Sequence, residues 1–267
     1  MTLRSPLINV MTAAARKAAR NLVRDFGEVE QLQISVKGTS DFVSSADLRA
    51  EKTLHAELRK ARPGFGFLLE EGGELKGTDA SHRWIIDPLD GTTNFIHGIP
   101  HFAISIGLER DGEIVAGVIY QPVTDEMFMC EKGAGAYVND RRLRVSARRR
   151  LDDSVVTTGI PHKGRAHHEA FLRQLGAVMG ATAGIRRMGS AALDLAYVAA
   201  GRCDAYWEMD IKPWDMAAGI LMVREAGGYV SDLDGGREMM TTGDVLATND
   251  HLLGPLGNLL RGQPATA

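Results

Sequence analysis

No stretch constrains this chain more than Trp84-Ile85-Ile86-Asp87-Pro88-Leu89-Asp90-Gly91-Thr92-Thr93-Asn94-Phe95. The apolar run Trp84 to Ile86 predicts the end of a buried strand. Pro88, which has no N–H to give a ladder, predicts the stop and a fixed turn. Asp87 and Asp90 bracket that turn. Two carboxylates held this close repel unless a cation or a proton sits between them. Oxygen-only donors suit Mg²⁺, Mn²⁺ or Ca²⁺ rather than zinc. Gly91 permits close backbone approach, and the N–H groups and hydroxyls that follow suit a phosphate. The stretch alone supports two readings: a Mg²⁺-dependent phosphate site, or an Asp-rich turn that Asp90 stabilises locally.

At 267 residues the chain suits one large domain or two intimate halves. The halves are expected at 1–145, with N-terminal helices and an antiparallel meander, and at 146–267, with an α/β pattern, joined in one compact unit. A net charge of −3 gives no reason to expect nucleic acid or an anionic membrane as main partner. The only cysteines, Cys130 and Cys203, have no metal-like spacing, which fits a reducing, cytoplasmic setting. No apolar run is long enough to span a bilayer. The Arg- and Ala-rich N-terminus resembles a transit peptide in composition. However, Leu7, Ile8, Met11, Ala14, Ala15, Ala18, Leu22 and Val23 recur at helical spacing, which predicts a docked first helix.

Further along, Gln33 to Lys37 alternates as a strand, and a helix from Ser44 or Ser45 runs to Pro63 with Asp47 in its first turn. Helix-end electrostatics explains Asp47 without any function. Phe65 to Leu69 predicts a strand ending in Glu70-Glu71, of which one at most faces a site. Asp111-Gly112 is a hairpin signal between two strands. Six arginines between Arg141 and Arg150 form the one basic cluster. Leu143 and Val145 alternate with Arg142 and Arg144, and no aromatics interleave, so a solvated edge strand is favoured over a nucleic-acid surface. The second half alternates strands and helices. Asp215, after Pro213, reads as the N-cap of the helix it opens, or as a third carboxylate of a site.

Taken together, Lys37 with Asp47, Glu70-Glu71, the Asp87–Phe95 motif and Trp214-Asp215-Met216-Ala217-Ala218-Gly219 resemble, in order and spacing, the inositol monophosphatase family. The resemblance covers nearly the whole chain, including 104–120 and 189–208. It implies an αβαβα layered sandwich and a lithium-sensitive, Mg²⁺-dependent phosphatase with two or three ions per site, Mn²⁺ substituting. It implies Glu70, Asp87 and the Leu89 carbonyl as ligands of one ion, Asp87, Asp90 and Asp215 of another, and Glu70 again at a third. Asp47 and Thr92 would orient the attacking water, and the Gly91 and Thr92 N–H groups would hold the phosphate. Gly189, Ser190, Ala191, Glu208 and Asp90 would meet the alcohol half, with Lys37 and Asp215 also on the substrate side. None of the eight histidines falls at a matched position, and no nucleophilic Ser, Cys or His is required. Leu69 stands where the family usually has Gly, so the choice between Glu70 and Glu71 stays open.

The resemblance further implies a small phosphorylated polyol as substrate, myo-inositol 1-phosphate first, and a homodimer with Arg186-Arg187 near its interface. Fructose 1,6-bisphosphate, histidinol phosphate and nucleotide phosphates are the alternatives within the wider superfamily. A haloacid-dehalogenase-type phosphatase would need two aspartates one residue apart, whereas two residues separate Asp87 from Asp90. A binding role beside the transcription machinery, carried by Arg141–Arg150 and Arg186-Arg187, is the reading from a different class.

Overall fold

The structure, a computed structural model, describes residues 5–28, 34–38 and 41–265, with backbone alone for 34–38 and 41–44. Helix α1 (Pro6–Gly27) starts where the Ser5 hydroxyl accepts the Ile8 N–H. Its buried stripe of Ile8, Met11, Ala14, Ala15, Ala18 and Leu22 is the expected one, except that Val23 is 47% exposed. The alanines let helix α2 (Ser45–Ala61) pack closely through Ala46, Ala50, Leu54 and Leu58. The hairpin β1 (Ile34–Gly38) and β2 (Asp41–Ser44) leads into α2; Gln33, where that strand was expected to begin, lies outside the described residues.

Helices α1 and α2 cover one face of an eight-stranded sheet. Its strands are β3 (Phe65–Leu69), β4 (Gly73–Leu75), β5 (Asp79–Asp90), β6 (Ala103–Arg110), β7 (Glu113–Gln121), β8 (Glu126–Glu131), β9 (Gly135–Val138) and β10 (Arg141–Arg142). They lie in the order β10-β9-β8-β7-β6-β5-β3-β4. From β5 to β10 the sheet is the expected meander, and Asp111 (φ 51°) and Gly112 (φ 79°) make the turn between β6 and β7 with both φ positive. By contrast, β3 runs parallel to β5, with Leu69 opposite Ile86. Their carboxyl ends therefore meet, and Glu70 is delivered beside Asp87. Between Gly72 and Leu75 the sequence reads as loop, yet β4 forms because it pairs back on β3.

A short helix, α3 (Thr92–Ile96), follows β5. The second half holds β11 (Val155–Thr158), α4 (His168–Met179), β12 (Gly184–Arg186), α5 (Ala191–Ala199), β13 (Ala205–Glu208), α6 (Pro213–Glu225), β14 (Tyr229–Ser231), α7 (Met239–Thr242), β15 (Val245–Thr248) and α8 (Asp250–Leu260). Its strands form a sheet ordered β12-β11-β13-β15-β14, parallel at β12-β11-β13 and antiparallel at β15. Helices α5 and α6 lie between the two sheets, and α4 and α8 cover the far face of the second. The result is the αβαβα sandwich. Leu172, expected on the buried side of α4, is 64% exposed; Phe171 and Val178 make that contact, with Phe171 stacked on Trp207.

The basic cluster is an edge, as expected, but a shorter strand: only Arg141 and Arg142 pair, at the end of the sheet. Carboxylates pair with two of its six arginines. Arg148 lies 3.3 Å from Asp204 and 3.8 Å from Asp153, and Arg150 pairs with Asp152. Among the described residues no helix is long and apolar enough to cross a membrane.

Candidate active site

Pro88 does not end the strand. β5 continues to Asp90, and its pairing with β6 slips between Asp87 (opposite Ser105) and Asp90 (opposite Ala103). A bulge tolerates a residue without an N–H, which is why proline sits there. The Leu89 N–H donates to Asp87 Oδ1 at 2.8 Å, holding the bulge. Gly91 then adopts φ 98°, and a Cβ there would lie 3.1 Å from the carbonyl oxygens of both Gly189 and His101. Conformation and space both demand glycine. Asn94 closes the corner by donating to His101 and Met188 carbonyls, each at 2.8 Å.

One cleft is lined by Glu70, Asp87, Leu89, Asp90, Gly91, Thr92, Gly189, Ser190, Ala191, Glu208 and Asp215. All but two of the site residues expected from sequence thus meet. Asp47 is fully buried at the start of α2, behind the cleft wall. Thr92 Oγ1 lies 3.1 Å from Asp47 Oδ1 and 3.1 Å from the Leu89 carbonyl oxygen, one proton facing two acceptors. Lys37 stands on β1, but its side chain lies outside the described residues.

The adjacent acids Glu70 and Glu71 stand in different settings. Glu70 lines the cleft with Asp87, while the Glu71 N–H donates to Glu51 Oε2 at 2.8 Å and fixes the turn between β3 and β4. Asp215 is not the N-cap expected of it. Lys212 holds that position and Pro213 opens α6, while Asp215, in the first turn, accepts the Lys212 N–H at 2.7 Å. Asp90 crosses from the first half to the second: its Oδ2 accepts from Ser190 Oγ at 2.5 Å and the Ala192 N–H at 2.7 Å, at the start of α5. Ser190 therefore holds a carboxylate as well as lining the cleft.

The electrostatics follow from burying like charges. Burial first, then Glu70, Asp90 and Asp215, push the Asp87 carboxyl well above the usual range. Burial carries Asp90 up to about 6 against the opposing pull of Ser190, and burial with Asp90 carries Asp215 to about 7. Glu208 rises to about 7, chiefly through burial, with the Tyr206 hydroxyl opposing. Among the described residues no three His, Cys, Asp or Glu side chains are drawn together tightly enough to cage an ion by themselves. The donor set nonetheless suits Mg²⁺: it is all oxygen, acidic and gathered on one cleft, and Mg²⁺ is ordinarily held by a few carboxylates, with water and phosphate completing its shell.

Comparison with known proteins agrees with the fold. Residues 3–261 match the model of the inositol monophosphatase family. The chain belongs to that family. It is 58% identical over 258 residues to the inositol-1-monophosphatase of Rhizobium meliloti, covering 97% of each chain. It is 44% identical over 248 residues to the Nus factor SuhB of Escherichia coli K12, covering 93% of each. The crystal structure of the extragenic suppressor protein suhB of Bartonella henselae superposes with a TM-score of 0.94 at 58% identity, covering 96% of this chain and 99% of that one. Within this inositol monophosphatase fold, sequence reasoning missed Glu51, Gly159, Arg165 and Tyr206. Gly159 and Arg165 line the cleft and the Tyr206 hydroxyl donates to Glu208, on strands or loops whose adjacency no local pattern encodes, and Arg187, expected at a dimer interface or binding surface, also lines the cleft.

Proposed function

We propose that this chain hydrolyses phosphate monoesters by water attack at a Mg²⁺-loaded site, with myo-inositol 1-phosphate as its foremost substrate. The carrying observation is the convergence of Glu70, Asp87, Asp90 and Asp215 on one cleft, beside the Asp47–Thr92 pair. Glu70, Asp87, the Leu89 carbonyl, Asp90 and Asp215 would hold two or three Mg²⁺, or Mn²⁺ in their place. When bound, the ions supply positive charge to the phosphoryl and leaving oxygens and make water more acidic. Asp47 accepts the proton that Thr92 relays and so orients the attacking water. Gly91 and Thr92 present N–H groups to the phosphate, and Glu208, with the 189–191 segment, receives the alcohol. The turnover needs no covalent nucleophile.

The test is phosphate release over a panel of inositol, sugar, histidinol and nucleotide phosphates, with and without Mg²⁺ and with added Li⁺. Turnover that requires Mg²⁺, is inhibited by Li⁺ and falls more than about 100-fold in a folded Asp87→Asn variant is the expected outcome. A native rate in that variant, or turnover without any divalent cation, overturns the mechanism. We further propose a homodimer. A role beside the transcription machinery is not favoured, because Arg148 and Arg150, two of the arginines that would carry it, are already paired.

A further inference from the structure

Glu208 ends β13, and the register of that strand decides what lies beside it. β13 runs parallel to β11 with Trp207 opposite Thr158, so the next residue of β11, Gly159, comes level with Glu208. The Glu208 carboxylate lies directly over it. A Cβ on Gly159 would stand 1.9 Å from Glu208 Cδ and Oε1 and 2.1 Å from Oε2, distances that no side chain permits. Gly159 has no positive φ to explain it, so the space it leaves is what the carboxylate uses.

The second restraint comes from the same strand. Tyr206 and Glu208 alternate with Trp207 and so share a face. Tyr206 is fully buried, and its hydroxyl donates to Glu208 Oε2 at 2.7 Å. One carboxylate oxygen is thereby anchored from below while the group lies flat on bare backbone. Both Gly159 and Glu208 line the cleft. A carboxylate accepts several hydrogen bonds, so capacity remains for hydroxyl donors entering there, and a fixed acceptor discriminates far better than a mobile one.

We propose that Gly159 and Tyr206 are positioning residues that hold the Glu208 carboxylate to receive hydroxyls of the substrate alcohol, and so set selectivity for polyol phosphates over esters without hydroxyls. The inference rests on the phosphatase reading above. It is tested with the full chain and saturating Mg²⁺, measuring kcat/KM for myo-inositol 1-phosphate and for p-nitrophenyl phosphate in the native protein, Tyr206→Phe and Gly159→Ala. The ratio of the two values is expected to fall about tenfold in Tyr206→Phe, the worth of one hydrogen bond, and further in Gly159→Ala, carried by a higher KM for the inositol ester. A merely structural role would lower both esters together, and an unchanged ratio overturns the proposal. Should Gly159→Ala fail to fold, Tyr206→Phe decides alone, since it removes one oxygen and no packing volume. A native protein that turns over neither ester defeats the phosphatase reading itself, and this inference with it.

Discussion

Glu51 does not line the cleft, yet the site depends on where it sits. Its carboxylate takes the Glu71 N–H, and its other oxygen lies where a Cβ on Gly72 would approach to 3.1 Å. Glu51→Ala should loosen the turn that aims Glu70 and weaken divalent-cation binding about 10- to 100-fold. Glu51→Gln, whose amide oxygen still accepts, should stay near native. Calorimetric titration with Mn²⁺ reads both, and equal affinities in all three proteins would refute this role. Glu208 offers a pH test. Its carboxyl stays protonated to about 7 in the fold through burial, whereas an unfolded glutamate ionises near 4.3. Between those values the unfolded chain has shed the proton that the folded chain keeps, so this group's contribution to stability falls as pH rises. In the absence of metal, the melting temperature of Glu208→Gln should gain on the native value from pH 4.5 to 7 and then level off; a difference that does not change with pH would contradict the assignment. At this scale the acids were legible because Asp87, Asp90 and Asp215 sit in dense local motifs. Glu51 was not, because its partner lies twenty residues on and only the turn between β3 and β4 brings them together.

Two elements do most of the aiming. The parallel pairing of β3 with β5 joins Glu70 to Asp87, and the start of α5 grips Asp90 from the other half. Sequence alternation predicted β5 to β10 as a meander because hairpins are local. Chain order put the Glu70 and Asp87 strand ends in one neighbourhood but could not specify the parallel β3–β5 pairing, whose partners are joined only through β4 and a loop, nor the bulge that carries β5 through Pro88. The α5 contact is open to a direct test. Ser190 donates to Asp90 and also accepts the Leu193 N–H as helix cap. Ser190→Ala should cost about 1 kcal/mol of stability as a lost cap and weaken Mg²⁺ binding, while Ser190→Thr should recover both. Urea denaturation with and without Mg²⁺ measures them. An alanine variant as stable and as responsive to Mg²⁺ as native protein would show that the contact is idle.

Across the whole molecule the site belongs to neither half. Asp87 and Asp90 come from the first sheet, Asp215 from a helix between the sheets and Glu208 from the second sheet. Trp84 and Trp207 are fully buried, one in each sheet. Urea should therefore remove activity and the environments of these two buried tryptophans in a single transition. If the chain is a homodimer, the midpoint should also rise with protein concentration. Two separated transitions would mean that the halves fold independently, and a midpoint that ignores concentration would argue for a monomer. The meander and the α/β half were readable from the order of strands and helices, and the layered sandwich only through the family resemblance. The seam between halves was not, because the hydrogen bonds across it join residues 100 positions apart.

The parallel register of β3 on β5 also bears on how such a chain can change length. Glu70 is aimed by counting along a paired backbone, so one residue inserted before Leu69 would turn its side chain to the opposite side of the sheet. The Asp111-Gly112 turn joins β6 to β7 at the opposite margin of the sheet, and extra residues there displace nothing that touches the cleft. Insertions and deletions are thus confined by geometry to one margin of the sheet, and the opposite margin keeps a fixed residue count.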